Sequence, residues 1–390
     1  MSQSIRILAG TASDARSERQ NVTVTLTGSK ISSISPMDPS SRIHDGDIDG
    51  RESLLVPGFI DIHVHGGAGR AFMEGTQDAL VSVASHLARH GVTGFLPTTI
   101  TGPWDAQAQA VSIAFSAMRS SENGFRGASV LGVHLEGPYI NPKKKGAQPP
   151  QHILPPSWRD LESQLGDTIG ALKVVTLAPE MDGAAELIEY LVARGIVVSI
   201  GHTDATYSQV CGAIDLGARH VTHCFNAMRP MEGREPGVVG AALVRPELAA
   251  ELIWDNIHVH PASCRSLVAA KGPQGVILIS DGIPGAGMPD GYRFSLGDLP
   301  VTIHDGSARL PDSTLAGSLL TLDRAFANAS SFTLSERCAM TSLNAASALG
   351  LGHCKGMLAP GYDADLVLLN ADGSVKMTFV GGNCVYSAGS

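Results

Sequence analysis

Eight short apolar runs alternate with amphipathic segments through the middle of this 390-residue chain. The runs are rich in β-branched residues and have the length of buried strands, whereas the segments between them have helical periodicity. The runs are residues 54–65, 94–100, 130–136, 173–178, 197–202, 220–226, 252–258 and 276–281. Eight strands that alternate with helices predict an α/β fold, specifically a (β/α)₈ barrel, which is also called a TIM barrel.

Both ends of the chain alternate apolar and polar residues with a period of two, which is typical of strands with one buried face. This pattern occurs at residues 22–26, 30–34, 364–369 and 376–380. Neither end has enough apolar residues for a core of its own, so we expect the two ends to pair.

The sequence therefore predicts a small β-sandwich domain built from residues 1–55 and 357–390. Residues 56–356 would form the catalytic barrel, with an inserted hairpin near residues 292–310.

Composition and charge argue against several classes of partner. The net charge of −9 disfavours a nucleic-acid-binding surface. No apolar run is long enough to span a bilayer, and the N-terminus lacks the charged start and apolar stretch of a signal peptide. The six cysteines are scattered without a Cys-x-x-Cys pair, which is typical of reduced thiols. We therefore expect a cytoplasmic protein without a membrane partner.

Polar side chains recur where the predicted strands end, which is the edge at which barrel enzymes place their chemistry. His63 and His65 end the first run and, being two residues apart on a strand, point to the same side. The third, fifth, sixth and eighth runs end near further candidates, and another follows the seventh: Glu136, His202, His223, Asp281 and His258. Any one of them alone is more often a capping or loop residue, but recurrence at six strand ends favours a single site.

Imidazole nitrogens together with carboxylate oxygens, and no set of thiolates, suit zinc or iron at a hydrolytic site. Such a metal lowers the pKa of a bound water to about 7. A free carboxylate nearby can then carry the proton from water to a leaving amine, and Asp281 is the candidate for that role. The residues leave the identity of the metal open.

With these residues the chain resembles the amidohydrolase superfamily, and within it the N-acetylglucosamine-6-phosphate deacetylase family. Two matching motifs are shared widely across the superfamily, namely His-x-His at 63–65 and Gly-Tyr-Asp-Ala-Asp-Leu-Val at 361–367. More specific are His-Leu-Glu-Gly-Pro at 134–138, Phe-Asn-Ala-Met at 225–228 and Gly-Arg-Glu-Pro-Gly at 233–237. The matches follow one another in order along nearly the whole chain.

The resemblance implies a metal-dependent hydrolase that converts N-acetylglucosamine 6-phosphate into glucosamine 6-phosphate and acetate. The implied ligands of the principal divalent metal are Glu136, His202 and His223. Some members lack the His-x-His pair and use one metal. Because this chain has His63 and His65, the resemblance also allows a second ion that Glu136 and Asp281 share.

The same resemblance assigns the catalytic roles. Asp281 would act as general base and then as general acid, while His258 would contact the substrate and polarise its acetamide carbonyl. His260 is the nearest alternative to His258 for the second role.

Besides His258, four residues are implied to contact the substrate, a small-molecule sugar phosphate. Arg234 would bind the phosphate and reach in from a neighbouring subunit, which implies a homodimer. Asn226 and Ala227 would also contact the ligand, as would Gln148, which lies where many members carry a histidine.

Two other functions stay open at this point. The chain could act on N-acetylgalactosamine 6-phosphate, or on another amide substrate of the superfamily. A scaffold that has lost catalysis is the non-enzymatic alternative, and such a protein is expected to lack ligands at the strand ends, which are all occupied here.

Overall fold

A computed structural model describes residues 4–38, 40, 42–119, 127–297 and 299–389. Its strands, in chain order, are β1 (Ser4–Ser13), β2 (Glu18–Thr27), β3 (Lys30–Pro36), β4 (Ile48–Pro57), β5 (Phe59–Val64), β6 (Gly66–Gly67), β7 (Arg70–Ala71), β8 (Val92–Thr99), β9 (Ser129–Val130), β10 (Val133–Glu136), β11 (Leu172–Leu177), β12 (Val197–Ile200), β13 (His220–Val221), β14 (Ala249–Ile253), β15 (Val276–Ile279), β16 (Arg293–Leu296), β17 (Leu299–His304), β18 (Ser307–Arg309), β19 (Leu366–Leu369), β20 (Val375–Val380) and β21 (Asn383–Ser387).

The helices of the described residues lie mostly between the barrel strands. They are α1 (Gln77–Arg89), α2 (Trp104–Arg119), α3 (Trp158–Leu165), α4 (Ala184–Ala193), α5 (Tyr207–Asp215), α6 (Gly237–Val244), α7 (Pro261–Lys271), α8 (Leu322–Asn328), α9 (Leu334–Cys338) and α10 (Asn344–Ala348). None of these helices is long and apolar enough to cross a membrane.

The eight parallel strands β5, β8 and β10 to β15 are neighbours in chain order and confirm the predicted barrel. Hydrogen bonds between the first and last of them nearly close the sheet. The N–H of Asp281 donates to the carbonyl of His63 at 2.9 Å, and the N–H of His65 donates to the carbonyl of Gly282 at 2.7 Å. Closure brings the C-terminal ends of all these strands to one mouth.

Several barrel strands are shorter than their apolar runs predict. The sixth, β13, contains only His220 and Val221, and the seventh, β14, ends at Ile253 rather than at residue 258. The prediction of strand structure for residues 254–258 was therefore wrong. Asp255 explains the difference, because its carboxylate accepts the N–H groups of Ile257 and His258, which fixes a turn instead.

The apolar run at residues 54–65 forms two strands in two different sheets, not one. It breaks at Gly58, whose N–H donates to the carbonyl of Asp365 at 2.9 Å. A Cβ at this position would lie only 2.1 Å from Oγ1 of Thr93, so the close approach requires glycine. The sequence does not reveal the break, because both sheets bury the same kinds of apolar residue.

Strands from both ends of the chain form one seven-stranded sheet, in the order β21-β20-β19-β4-β1-β2-β3. The two ends meet where β4 pairs with β19, with Leu55 opposite Leu368. This confirms a separate β domain built from both ends. The residue boundaries at 55/56 and 356/357 stay a prediction.

The segment predicted as an inserted hairpin forms a small three-stranded antiparallel sheet, β16-β17-β18. Its apolar side chains Leu296 and Val301 belong to a separate cluster with Ile100 and Ile283. Ile100 and Ile283 follow the second and eighth barrel strands, so this sheet packs over the mouth of the barrel.

Candidate active site

Three side chains from different barrel strands form a triangle of metal-ligating atoms. Nε2 of His202 lies 3.1 Å from Nε2 of His223, and each lies 3.1 Å from Oε1 of Glu136. Ligands arranged tetrahedrally at the usual Zn–N distance are about 3.3 Å apart, so these spacings fit one divalent ion. All three residues are buried.

A second group of possible ligands lies directly beside the first. Nε2 of His65 is 3.2 Å from Nε2 of His63 and 3.2 Å from Oδ1 of Asp281. Glu136 reaches this group too, because its Oε2 lies 3.3 Å from Nε2 of His65. The carboxylate of Glu136 therefore stands between two groups, each able to hold one cation.

Hydrogen bonds at Nδ1 fix the orientation of three of these imidazoles. The Nδ1–H of His202 donates to the carbonyl of Lys144 at 2.9 Å, and that of His65 donates to the carbonyl of Thr98 at 3.2 Å. His63 donates its Nδ1–H to Oε2 of Glu251 at 3.0 Å. Each ring thus points its Nε2 into the site, and loss of the proton at Nε2 leaves the Nδ1–H tautomer that metal binding needs.

Charges in the site reinforce this arrangement. Burial would raise the pKa of the Glu136 carboxyl, but the surrounding imidazoles, His63 and His202 foremost, hold it well below its usual value. Burial would also raise the pKa of the Asp281 carboxyl, but the neighbouring His63 and His65 outweigh this effect and lower that pKa. Both carboxylates are therefore anionic at neutral pH and available as ligands or as bases.

The backbone bends sharply where the strands deliver these side chains. His202, His223 and Asp281 have φ values of 48°, 28° and 48°, in the left-handed region that non-glycine residues seldom adopt. Conformations of this kind cost about 1–3 kcal/mol each and persist where the surrounding structure enforces them. Here the barrel enforces them and turns the three side chains inward.

A cavity of about 270 Å³ opens over the two ligand groups. This is slightly below the usual size of a small-molecule site, which starts at about 300 Å³. Ile100, Ile283, Leu296 and Leu315 supply apolar surface, and the small sheet above the barrel contributes Leu296. The predicted substrate residues among its lining are Gln148, Asn226, Ala227 and His258.

The structure distinguishes the two histidines that competed for one role. His258 lines the cavity, and its Nε2 is buried without a hydrogen-bond partner in the described residues. His260 is exposed and uses its Nδ1 to accept the N–H of Ala262 at the start of α7. Only His258 is placed where it can reach a ligand in the cavity.

Gln148 is tied to the ligand group itself. Its Nε2–H donates to Oε2 of Glu136 at 2.7 Å, and its Oε1 accepts the N–H of Thr101 at 2.6 Å. Both ends of the amide are thus engaged by the protein, so Gln148 steadies Glu136 as well as lining the cavity.

Arg234 is the one predicted substrate residue that does not line the cavity. It lies in the exposed segment that precedes α6 and is absent from the cavity lining. Within a single chain it therefore makes no contact with a ligand bound over the ligand groups.

Sequence reasoning missed two carboxylates that hold predicted site residues. Glu251 on β14 contacts His63, and Asp255 contacts Nδ1 of His258 at 2.6 Å. Glu251 could have been noticed, because an acidic residue inside an otherwise apolar strand is seldom buried without a partner. Asp255 carried the same signal, since it is an acidic residue inside the run at residues 252–258 that was predicted to be a strand.

Comparisons with known proteins agree with this geometry. The sequence matches the amidohydrolase family over residues 54–385, which is most of its length. The chain belongs to the amidohydrolase family. Among family members, N-acetylglucosamine-6-phosphate deacetylase of Bacillus subtilis is 39% identical over 94% of this chain and 93% of its own length. N-acetylgalactosamine-6-phosphate deacetylase of Escherichia coli O157:H7 is 38% identical over 90% of this chain and 91% of its own length.

Solved structures of amidohydrolases extend the similarity to three dimensions. A variant of N-acetyl-D-glucosamine-6-phosphate deacetylase from Mycobacterium smegmatis, in complex with N-acetyl-D-glucosamine-6-phosphate, has a TM-score of 0.91 to this chain. It is 32% identical, and the alignment covers 99% of this chain and 100% of that one. Family membership together with the two ligand groups makes this amidohydrolase a metal-dependent hydrolase.

Proposed function

We propose that this amidohydrolase removes the acetyl group of N-acetylglucosamine 6-phosphate, giving glucosamine 6-phosphate and acetate. The observation that carries the proposal is a cavity that opens directly onto two metal-ligand groups. The proposal is also supported by relatives named N-acetylglucosamine-6-phosphate deacetylase and by a similar structure that holds N-acetyl-D-glucosamine-6-phosphate.

The proposal includes two divalent ions per chain, zinc or ferrous iron. Glu136, His202 and His223 would hold the principal ion. His63, His65 and Asp281 would hold the second, with Glu136 between the two groups. When bound, such ions activate water and polarise a carbonyl as Lewis acids.

Asp281 would carry out the proton transfers, and His258 would stabilise the charge that develops on the carbonyl oxygen. The Asp281 carboxylate removes a proton from the attacking water as a bond forms between the water oxygen and the acetamide carbon. The same group then returns the proton to the sugar nitrogen as the C–N bond breaks, so that amine and acetate leave. The Nε2–H of His258 donates to the carbonyl oxygen and stabilises the negative charge that develops there.

Substrate binding would use Asn226, Ala227, Gln148 and His258 from the cavity wall. The proposal adds a homodimer in which Arg234 of one chain binds the phosphate in the cavity of the other. The exposed position of Arg234 supports this, because its guanidinium is available to another chain. A cytoplasmic location belongs to the same proposal and is supported by six free thiols.

The direct test is acetate release from purified protein whose metal content is measured at the same time. N-acetylglucosamine 6-phosphate and its galacto epimer are compared by kcat/KM, since relatives named for either sugar have almost the same identity to this chain. A higher value for the gluco sugar supports the proposal. A higher value for the galacto sugar would transfer it to that epimer, and no acetate from either would refute it.

The role of Arg234 across a subunit interface can be tested by mixing two impaired variants. Arg234→Ala lacks the phosphate contact, and Asp281→Asn lacks the base. If Arg234 acts across the interface, equal mixing with subunit exchange restores about a quarter of wild-type activity, because half of the dimers each contain one intact site. If Arg234 acts within its own chain, mixing restores nothing, and if it has no role, Arg234→Ala alone keeps wild-type activity before any mixing. Arg265→Ala on α7, which removes another exposed arginine, is the matched control and should retain full activity.

A further inference from the structure

Glu251 is a buried carboxylate behind the metal-ligand groups. It lies on the seventh barrel strand with none of its surface exposed. Its Oε2 accepts the Nδ1–H of His63 at 3.0 Å and the backbone N–H of His223 at 3.3 Å. Its Oε1 has no hydrogen-bond partner among the described residues.

This arrangement is costly unless a positive charge lies nearby. A carboxylate removed from water is stabilised only by strong hydrogen bonds or by a cation, and the one side chain that donates to Glu251 is His63. No lysine or arginine forms an ion pair with Glu251 in the described part of the chain. The compensating charge must therefore act through the imidazole, at Nε2 on the side that faces His65 and Asp281.

We propose that Glu251 is a positioning residue that gives this chain its second metal site. Its carboxylate holds the Nδ1–H tautomer of His63, aims the Nε2 lone pair at the second ligand group and strengthens that nitrogen as a ligand. The inference rests on the proposed metal centre and adds the determinant of its stoichiometry.

A purely structural role for Glu251 predicts something different. Glu251 also accepts the N–H of His223, which belongs to the first ligand group, so a general loosening of the barrel would weaken both ions. If Glu251 acts through His63, its loss weakens binding only of the ion that His63, His65 and Asp281 hold. The readout that separates the two roles is the number of ions bound and the affinity of each.

The experiment measures bound metal per chain by mass spectrometry, and the two affinities by chelator competition. Glu251→Leu removes the acceptor, and Glu251→Gln keeps an acceptor of the same shape without the charge. We expect two ions in the wild type and one in Glu251→Leu. In Glu251→Gln we expect two ions, with the affinity for the ion held by His63, His65 and Asp281 reduced about 10–100-fold. Ser199→Ala is the matched control, because it also removes a buried polar group of the barrel but contacts Thr222 rather than a ligand. It should keep both ions at wild-type affinity.

Two results would overturn the inference. One is that both Glu251 variants bind two ions with wild-type affinity, and the other is that the affinities for both ions fall equally. If Glu251→Leu does not fold, the isosteric Glu251→Gln decides between the same outcomes. A wild-type protein that binds no metal and releases no acetate would instead refute the proposed function. Failure of the inference alone therefore leaves a wild type with two ions and full activity.

Discussion

Oδ2 of Asp255 lies 2.6 Å from Nδ1 of His258, and the two side chains are almost fully buried together. Burial would lower the pKa of His258, but the hydrogen bond and the charge of Asp255 outweigh it and raise that pKa above its ordinary value. Asp255 therefore favours the imidazolium form of His258. In this form Nε2 carries a proton that can be donated into the cavity.

Replacing Asp255 should shift the pH dependence of the reaction. If protonated His258 is the electrophile, kcat declines as pH rises through its raised pKa. Asp255→Asn removes the group that raises this pKa, so the decline in kcat should begin at a lower pH than in the wild type. A pH profile of kcat measures the shift. Asp215→Asn, at an exposed position on α5, should leave the profile unchanged, and an unchanged profile in Asp255→Asn would contradict the assignment.

Metal binding should release protons. Burial would lower the pKa of His65, but Asp281 and Glu136 outweigh this effect and raise that pKa to about 9 in the metal-free protein. His65 is thus protonated at pH 7 to 8 and must lose its proton to become a ligand, so metal affinity should increase with pH up to about 9. Calorimetry of the metal-stripped protein, repeated in buffers of different ionisation enthalpy, counts the protons released. No dependence on the buffer would argue against His65 as a ligand.

Asp281→Asn should reduce turnover without preventing substrate binding. The amide cannot accept the proton of water, so we expect kcat to fall by about 10²–10⁴-fold while KM changes little. Steady-state kinetics on N-acetylglucosamine 6-phosphate measure both constants. Asp305→Asn changes an acid on the exposed turn between β17 and β18 and should behave as wild type. A kcat within tenfold of wild type in Asp281→Asn would exclude Asp281 as the base.

Gly58→Ala should destabilise the junction between the two sheets. The added Cβ would lie 2.1 Å from Oγ1 of Thr93, and forcing a methyl group into so tight a contact costs about 1–3 kcal/mol of unfolding free energy. Gly212→Ala is the opposite control, because nothing lies within 4 Å of its Cβ position inside α5. It should stabilise the protein by about 0.5–1 kcal/mol. Denaturant titration compares the two, and an unaffected Gly58→Ala would show that Thr93 moves aside freely.

Local sequence patterns were sufficient to predict the class of fold and the residues that converge. The alternation of apolar runs and helical segments predicted the eight barrel strands, because buried parallel strands require continuous apolar runs. The position of each polar residue after such a run predicted that the ligand candidates share one edge of the sheet. Glu136, His202 and His223 do meet there, as do His63, His65 and Asp281.

The partners of these residues could not be predicted in the same way. Glu251 and His63 are 188 positions apart in the chain, and their contact exists only because the barrel brings the first and seventh strands to a common interior. Gln148 illustrates the same point. The motif indicates a residue at the cavity, but only the folded loop brings its amide to Glu136.

The sequence by itself determined which side chains are available and at which strand ends they lie, because periodicity and composition are properties of neighbouring residues. Tertiary structure alone decided the break of one apolar run at Gly58, the exposed position of Arg234 and the carboxylates that orient His63 and His258. These features depend on distances between segments that are remote in the chain. Such distances are fixed only when the sheet closes and its buried polar groups find their partners.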